Sequence, residues 1–281
     1  MTQDIKKGLL IGVAGRMYAG KTTCSAYLVA TGAWSAIRFA GPLKAISGAI
    51  FKQLGHSDEE IHAMVDGCLK QRWIPTIGMT PRKLMQLIGT EYRVLVKHNA
   101  LWCDIAISRS RHLRNSGRNV VIDDVRFKDP EMIQIRKESG LLWCVRRPIP
   151  KQQDLSEADL AVMKSVDARP ITVPITVANF RAIFHRAFMA VMKPIWPYGP
   201  DNLIFAAQQF SIEFLEGFIL PNVTETPPAV PFSGTSHVSE VDYPDSDFDK
   251  VFINDGDLPS YRRNISEAIA RIDLNKAGTP S

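Results

Sequence analysis

A stretch of eight residues near the start of the chain has the types and spacing of a phosphate-binding loop. It reads Gly15-Arg16-Met17-Tyr18-Ala19-Gly20-Lys21-Thr22, the pattern G-x-x-x-x-G-K-T, and it follows the apolar run 9–14. The glycines let several backbone N–H groups point at one centre, where a helix N-terminus adds partial positive charge. Lys21 offers a cation to the phosphates and Thr22 a hydroxyl to Mg²⁺. The stretch predicts a nucleoside triphosphate site; a glycine-rich turn without nucleotide is the alternative.

A second stretch carries two acids and a base directly after an apolar run. Residues 120–122 are β-branched and lead into Asp123 and Asp124, with Arg126 two residues further on. Such a run predicts a buried parallel strand whose carboxylates lie at its C-terminal tip, the edge where open α/β sheets bind ligands. A helix cap or a surface turn is the alternative for either aspartate alone. Their combination with Arg126, downstream of a phosphate-binding loop, favours a function.

Three further arginines follow elements that could present them to phosphate. Thr80 suits an N-cap and Pro81 the first helical position, which places Arg82 in the first turn of a helix. Arg146 and Arg147 follow an apolar strand pattern, where a solvated basic turn is the alternative. A planar guanidinium meets phosphate oxygens two at a time, which makes Arg82 a candidate for phosphate binding. One of Arg146 and Arg147 is a candidate to stabilise transition-state charge.

Five apolar runs separated by helical material predict the architecture. The predicted strands lie near residues 9–13, 36–39, 119–123, 141–145 and 250–254. Alternation of strands and helices is typical of a doubly wound sheet. We therefore predict an α/β three-layer sandwich, a five-stranded parallel sheet with helices on both faces.

Residues 151–235 differ in character from the rest of the chain. They are rich in proline and aromatic residues, and two apolar stripes at helical spacing occur near 177–191 and 202–218. We predict a core formed by residues 1–150 and 236–281 and a mainly helical insertion at 151–235. The insertion is interpreted as a lid or as an oligomerisation element that would make a homodimer.

Composition limits the classes of partner. The chain has 281 residues and a formal net charge of +5, which suits anionic substrates but is too weak by itself to argue for nucleic acid. No apolar run approaches the roughly 20 residues that a membrane span needs, and no signal peptide pattern precedes the first strand. The four cysteines lie far apart and contain no C-x-x-C, as in a cytoplasmic protein with reduced thiols and no zinc site.

Several motifs, taken in order, resemble those of the bacteriophage deoxynucleoside monophosphate kinase family, in the P-loop nucleoside monophosphate kinase group. The resemblance covers roughly residues 7–148 and 236–273. Besides the loop, it is carried by Phe39-Ala40-Gly41-Pro42-Leu43-Lys44, Thr80-Pro81-Arg82 through Gly89-Thr90-Glu91, Asp123-Asp124-Val125-Arg126-Phe127, His237-Val238-Ser239-Glu240 and Asn254-Asp255-Gly256. It implies transfer of the γ-phosphoryl group of ATP to a deoxynucleoside monophosphate, in the cytoplasm of a host cell if the protein is viral.

The resemblance also implies roles for individual residues. The ATP phosphates and Mg²⁺ would be held by Gly15, Ala19, Gly20, Lys21, Thr22 and Thr23, with Asp123 as an outer-shell metal carboxylate and Asn254 beside the adenine. The acceptor nucleotide would be held by Lys44, Arg82, Gln86, Trp102, Asp124 and Arg126, although Trp102 suits a core position equally well. Arg146 or Arg147 would stabilise transition-state charge.

Two departures from the family pattern keep other functions open. Gly41 stands where such families usually carry an acid near the acceptor, and the insertion 151–235 replaces a short lid. One alternative is a kinase that acts on a modified nucleotide or on a hydroxymethylated base in DNA. The other is a nucleotide-binding regulatory protein without turnover, against which the intact Lys21, Thr22, Asp123 and Arg126 argue.

Overall fold

A computed structural model describes residues 7–148, 156–167, 177–223 and 243–277. Its strands are β1 (Leu10–Ala14), β2 (Trp34–Ile37), β3 (Asn119–Val125), β4 (Leu141–Arg146) and β5 (Lys250–Ile253). They form one five-stranded sheet in the order β2-β3-β1-β4-β5, in which all neighbours run parallel. The predicted five-stranded parallel sheet is confirmed, with β2 placed two residues earlier than expected.

The described residues form ten α-helices, and those at 177–192 and 200–209 lie on the apolar stripes predicted near 177–191 and 202–218. They are α1 (Lys21–Ala30), α2 (Gly41–Gln53), α3 (Asp58–Val65), α4 (Pro81–Leu95), α5 (Leu101–Asn115), α6 (Ile133–Lys137), α7 (Glu157–Asp167), α8 (Val177–Met192), α9 (Pro200–Gln209) and α10 (Leu258–Ala277). A π-helical segment, Lys128–Met132, precedes α6, and another, Phe210–Ile219, continues α9. The hydroxyl of Thr80 caps α4 by accepting from the Lys83 N–H at 3.1 Å, as predicted.

The chain divides into two compact units. The first contains residues 1–39, 106–152 and 235–281, and the second contains residues 40–105 and 153–234. The sequence prediction had instead grouped 40–105 with the sheet. The structure groups them with the predicted insertion because the two segments form one hydrophobic core.

The first unit is built around the sheet. β1 is central and buried along its whole length, and its register pairs Ile11 with Val121 on one side and with Leu141 on the other. On one face α1 and α10 pack against a core that includes Trp143 and Phe252. On the other face, α6 approaches so closely that a Cβ added to Gly12 would lie 2.4 Å from Cδ1 of Ile135. Helices therefore cover both faces of the sheet.

The second unit is helical in its described parts and has an aromatic centre. The Tyr92 ring, fully buried on α4, lies 5.0 Å from the ring of Phe210 and 5.6 Å from that of Phe188. Its hydroxyl donates to the carbonyl of Ala206 at 2.8 Å, which satisfies the one polar atom of this side chain. Segment 40–105, which precedes β3 in the chain, and the described part of 156–223, which follows β4, thus share a single core.

One helical run of the second unit is longer and more apolar than the sequence patterns suggested. Pro200–Asn222 has 23 residues and a mean hydropathy of 1.4 over its most apolar window, enough by length and composition to cross a membrane. Core helices of soluble proteins pass the same test, and here Phe210, Phe214 and Ile219 are fully buried in the unit's core. The run is weak evidence for a membrane span. Its opposite face exposes Ile204 and Phe205.

Candidate active site

The loop between β1 and α1 requires glycine at both ends. Gly15 has φ +143°, and a Cβ there would lie 2.3 Å from the carbonyl oxygen of Val145. Gly20 has φ +112°, and a Cβ there would lie 2.4 Å from Nδ2 of Asn254. Side chains rarely adopt such φ values, and neither position has room for a methyl group. The two glycines of the predicted motif are therefore fixed by geometry as well as by spacing.

The loop is braced from behind by the segment after β5. The Asn254 side chain, 5% exposed, donates to the carbonyl of Ala19 at 2.7 Å, and the Tyr261 hydroxyl donates to that of Gly20 at 3.2 Å. The backbone N–H of Asn254 is itself held by the carbonyl of Arg146 at 2.7 Å. The structure thus places Asn254, predicted beside the adenine, in contact with the loop backbone, where it positions the loop.

The first turn of α1 presents unpaired donors. Its N-cap, Gly20, contributes no side-chain cap, and among the described residues no acceptor binds the N–H groups of Lys21, Thr22 and Thr23. Amides of this kind at a helix N-terminus are the usual partners of anions. The Lys21 ammonium folds back onto the loop and donates to the carbonyls of Gly15, at 2.7 Å, and Arg16, at 2.8 Å.

Lys21 lies in a place that disfavours its positive charge. Burial lowers the pKa of its ammonium, and the nearby Arg126 lowers it further, while Asp123 and Asp124 act in the opposite sense. Arg126 is exposed, and no described carboxylate forms an ion pair with its guanidinium. Two cations, Lys21 and Arg126, therefore lie near enough at the strand tips to disfavour each other's charge.

Asp123 at the tip of β3 is deeply buried and strongly hydrogen-bonded. Arg38, one residue past β2, donates from Nε to Oδ1 at 2.8 Å and from Nη2 to Oδ2 at 3.2 Å, and the Ser25 hydroxyl donates to Oδ2 at 2.5 Å. The side chain of Asp123 is 1% exposed. A carboxylate offers about four lone-pair positions, and the described donors to Asp123 use three of them, which leaves one position on Oδ1.

Neither Arg38 nor Ser25 was predicted as a functional residue. The pairing of Arg38 with Asp123 depends on β2 lying beside β3, an order of strands that sequence patterns do not give. Ser25 could have been found, because it lies one helical turn after Lys21 on α1, the helix that begins at the loop.

Asp124 points away from Asp123, as alternation along a strand requires. It accepts the backbone N–H of Phe39 at 2.9 Å and is half-buried. Lys21, Thr22, Asp123, Asp124 and Arg126 all lie at or next to the C-terminal ends of β1 and β3 in the first unit. The structure therefore brings the predicted donor-side residues Lys21, Thr22 and Asp123 together with Asp124 and Arg126, which are predicted to contact the acceptor.

The two arginines after β4 have different partners. Arg146 donates from Nη2 to Asp245 Oδ1 at 2.5 Å and to the Tyr243 carbonyl at 2.8 Å, so its guanidinium is engaged at the surface. Arg147 donates from Nε to the carbonyl of Asn254 at 3.3 Å and lies close enough to Tyr261 to act on the pKa of its hydroxyl. Arg147 is thus the one directed towards the segment that braces the loop.

The predicted acceptor residues Lys44, Arg82, Gln86 and Trp102 belong to the second unit. Arg82 is half-buried in the first turn of α4, and its backbone N–H donates to the carbonyl of Lys70 at 2.8 Å, while Lys44 pairs with Asp66. Gln86 lies one turn further along α4 and is half-buried.

Trp102 occupies the core position that the sequence left open. Its indole is 6% exposed, lies 6.1 Å from the Tyr92 ring and donates from Nε1 to the carbonyl of Gly89 at 3.1 Å. A ring buried in this way presents no face to a nucleotide base. The predicted stacking role is therefore not supported, because the surrounding core residues already cover the ring.

Comparison with known proteins supplies the family. No family model matches the chain. A protein of Acanthamoeba polyphaga mimivirus, provisionally named a deoxynucleotide monophosphate kinase, is 32% identical over 178 residues, which cover 57% of this chain and 86% of the viral protein. The chain belongs to the same kinase family as the mimiviral protein. The relationship supports a nucleotide kinase in general; the bacteriophage origin implied by the sequence motifs stays a prediction.

The residues at the strand tips suit the groups that a kinase of this family must hold. Unpaired amides of α1, the Lys21 ammonium and the Arg126 guanidinium are the donors that a polyphosphate chain requires. The Thr22 hydroxyl has no described hydrogen-bond partner, and the open position on Asp123 allows a contact through water to a hydrated cation. The donor set therefore fits a nucleoside triphosphate with Mg²⁺.

Proposed function

We propose that this protein transfers the γ-phosphoryl group of ATP to a deoxynucleoside monophosphate, giving ADP and a deoxynucleoside diphosphate. The observation that carries the proposal is the convergence of Lys21 and Arg126 at the strand tips, beside the unpaired amides of α1. Burial and Arg126 both disfavour the charge of the Lys21 ammonium, and a bound anion near the two cations would stabilise that charge. Kinase family membership and the name of the mimiviral relative support a deoxynucleotide as acceptor.

On the donor side, the loop residues Gly15, Ala19, Gly20, Lys21, Thr22 and Thr23 would hold the ATP phosphates. The Lys21 ammonium would leave the carbonyls of Gly15 and Arg16 for phosphate oxygens, which would raise its pKa and keep it charged. Thr22 would hold Mg²⁺ directly and Asp123 through water. The metal supplies charge neutralisation between the β- and γ-phosphates when bound. Arg38 and Ser25 keep the Asp123 carboxylate fixed.

The acceptor roles are those that the resemblance implies: Arg82 and Arg126 as ligands of the monophosphate, and Asp124, Lys44 and Gln86 as further contacts. Catalysis of phosphoryl transfer depends mainly on holding the two nucleotides in line and neutralising charge. Of the two arginines after β4, Arg147 is the better candidate to stabilise transition-state charge, because the Arg146 guanidinium is engaged by Asp245 and the Tyr243 carbonyl.

The test is a survey of acceptors with purified protein, ATP and Mg²⁺. Each of the four deoxynucleoside monophosphates is supplied separately, ADP is measured, and the diphosphate product is identified by chromatography. We expect turnover with at least one of them and a loss of about a thousandfold in Lys21→Ala. Retained ATP binding with no ADP from any acceptor would refute the proposal. Phosphate transfer to hydroxymethylated DNA instead would favour the alternative kinase function.

A pair of neighbouring substitutions tests the acceptor assignment. Arg82→Ala should raise the KM for the monophosphate by ten- to a hundredfold, the range for one charge-assisted contact, with little change in the KM for ATP. Lys83→Ala is the matched control, since it removes the adjacent cation on the same turn of α4. A selective loss of ATP affinity in Arg82→Ala would contradict the assignment.

A further inference from the structure

The turn that carries Arg126 is held by a buried carboxylate. β3 ends at Val125, and the next two backbone N–H groups, those of Arg126 and Phe127, both donate to Oε2 of Glu131, at 2.6 and 3.0 Å. Glu131 is 8% exposed and lies in the π-helical segment Lys128–Met132. One oxygen atom thus fixes the direction in which the chain leaves the strand.

The opposite side of the same turn is held by a tyrosine from a distant part of the chain. The Tyr243 hydroxyl accepts the N–H of Lys128 at 3.1 Å and donates to the carbonyl of Arg126 at 3.2 Å. Two side chains, those of Glu131 and Tyr243, therefore satisfy four backbone groups of residues 126–128. The backbone of Arg126 is held at both its N–H and its carbonyl.

Keeping a carboxylate at this position has a physical cost. Burial raises the pKa of Glu131 to about 7, although its two backbone hydrogen bonds oppose the shift. The charged groups facing it are Asp124, which raises the pKa, and Arg126, which lowers it, and no described cation forms an ion pair with it. An apolar side chain would fill the same space without this cost, so the carboxylate points to a role for its acceptor atom.

We propose that Glu131 is a positioning residue, which fixes the backbone of Arg126 so that its guanidinium stays beside Lys21 at the strand tips. The proposal rests on the proposed function only in giving Arg126 a phosphate to bind. A displacement of about 1 Å in a group that contacts the reacting phosphate can reduce turnover by about a hundredfold, which sets the size of the expected effect. Tyr243 has a supporting role on the other side of the turn.

Three variants test this role. Glu131→Ala removes the acceptor and should lower kcat by about ten- to a hundredfold, with a smaller change in the KM for ATP. Glu131→Gln keeps an oxygen that can accept both N–H groups and should restore kcat to within about tenfold of the wild type. Lys137→Ala, an exposed position on α6, is the control and should have wild-type kinetics. Equal losses in the Ala and Gln variants, or none in Ala, would overturn the proposal.

A pH profile separates positioning from a merely structural effect. In the wild type, kcat should rise as Glu131 ionises near pH 7, because the charged carboxylate binds the two N–H groups more strongly. The Glu131→Gln variant should lack this inflection, since its amide does not titrate. Identical profiles in the two proteins would contradict the proposal.

Amide exchange provides a readout that does not depend on turnover. Deuterium uptake in a peptide spanning residues 125–128 should rise by tenfold or more in Glu131→Ala, and much less in Glu131→Gln. If the wild-type protein phosphorylates no acceptor, the proposed function fails while this measurement still decides the role of Glu131. Unchanged exchange in the Ala variant would show that Glu131 does not hold the turn.

Discussion

The stability of the protein should depend on the ionisation of Glu131 in a direction opposite to that of most carboxyl groups. The pKa of this group is raised from 4.5 to about 7 in the folded chain. Between these values the native state binds the proton more than the unfolded state does, so the free energy of unfolding falls as the pH rises. A difference of about 2.5 pKa units corresponds to about 3 kcal/mol, with the full cost present above pH 7.

The assay compares urea unfolding of the wild type and of Glu131→Gln from about pH 3 to pH 8. The variant lacks this titration. The difference between its free energy of unfolding and that of the wild type should therefore grow by about 3 kcal/mol, in favour of the variant, as the pH rises through the range. Glu138→Gln is the control of opposite sign: burial raises its pKa, but Arg111, Lys7 and Arg114 outweigh burial and hold it below 4.5. The stability from Glu138 is present above pH 4.5 and is lost as the pH falls further. A constant difference between wild type and Glu131→Gln would refute the reasoning.

Two further substitutions and one deletion test the geometry within each unit. Gly20→Ala should destabilise the fold by about 1–3 kcal/mol in thermal unfolding and abolish turnover, because φ is +112° and the added methyl group meets Asn254. The control Gly217→Ala, with open space around the added methyl group, should not destabilise the fold. Trp102→Phe should lower stability by about 1–2 kcal/mol without changing the order of preference among acceptor bases; an altered preference would restore the stacking role. Deletion of residues 152–232 should leave the second unit unfolded by circular dichroism, and a folded truncated protein would contradict the shared core.

Local patterns allowed the phosphate-binding loop, the cap of α4 and the strand that ends in two acids to be predicted from the sequence. The loop spacing, the Thr80 cap and the acids at the end of β3 depend on residues close together in the chain, and each is where the pattern placed it. The partners of Asp123 could not be predicted in the same way. Arg38 reaches it only because β2 neighbours β3, and a pairing across 85 residues leaves no local pattern. Asn254, placed beside the adenine by resemblance, also braces the loop backbone, a contact across 235 residues that no local pattern gives.

The grouping of residues 40–105 with the predicted insertion also depends on contacts between residues that are far apart in the chain. The apolar stripes at 177–191 and 202–218 predicted helices that need a surface to bury against, but periodicity does not say which surface. The structure supplies it in the second unit, where Tyr92 on α4 meets Phe188 and Phe210 and its hydroxyl reaches Ala206. Because α4 also carries Arg82, the packing of the insertion bears directly on where a proposed acceptor contact lies. The insertion is therefore part of the scaffold that holds the proposed acceptor residues of α4. A role as lid or interface would use a surface that the shared core leaves exposed, such as the face that carries Ile204 and Phe205.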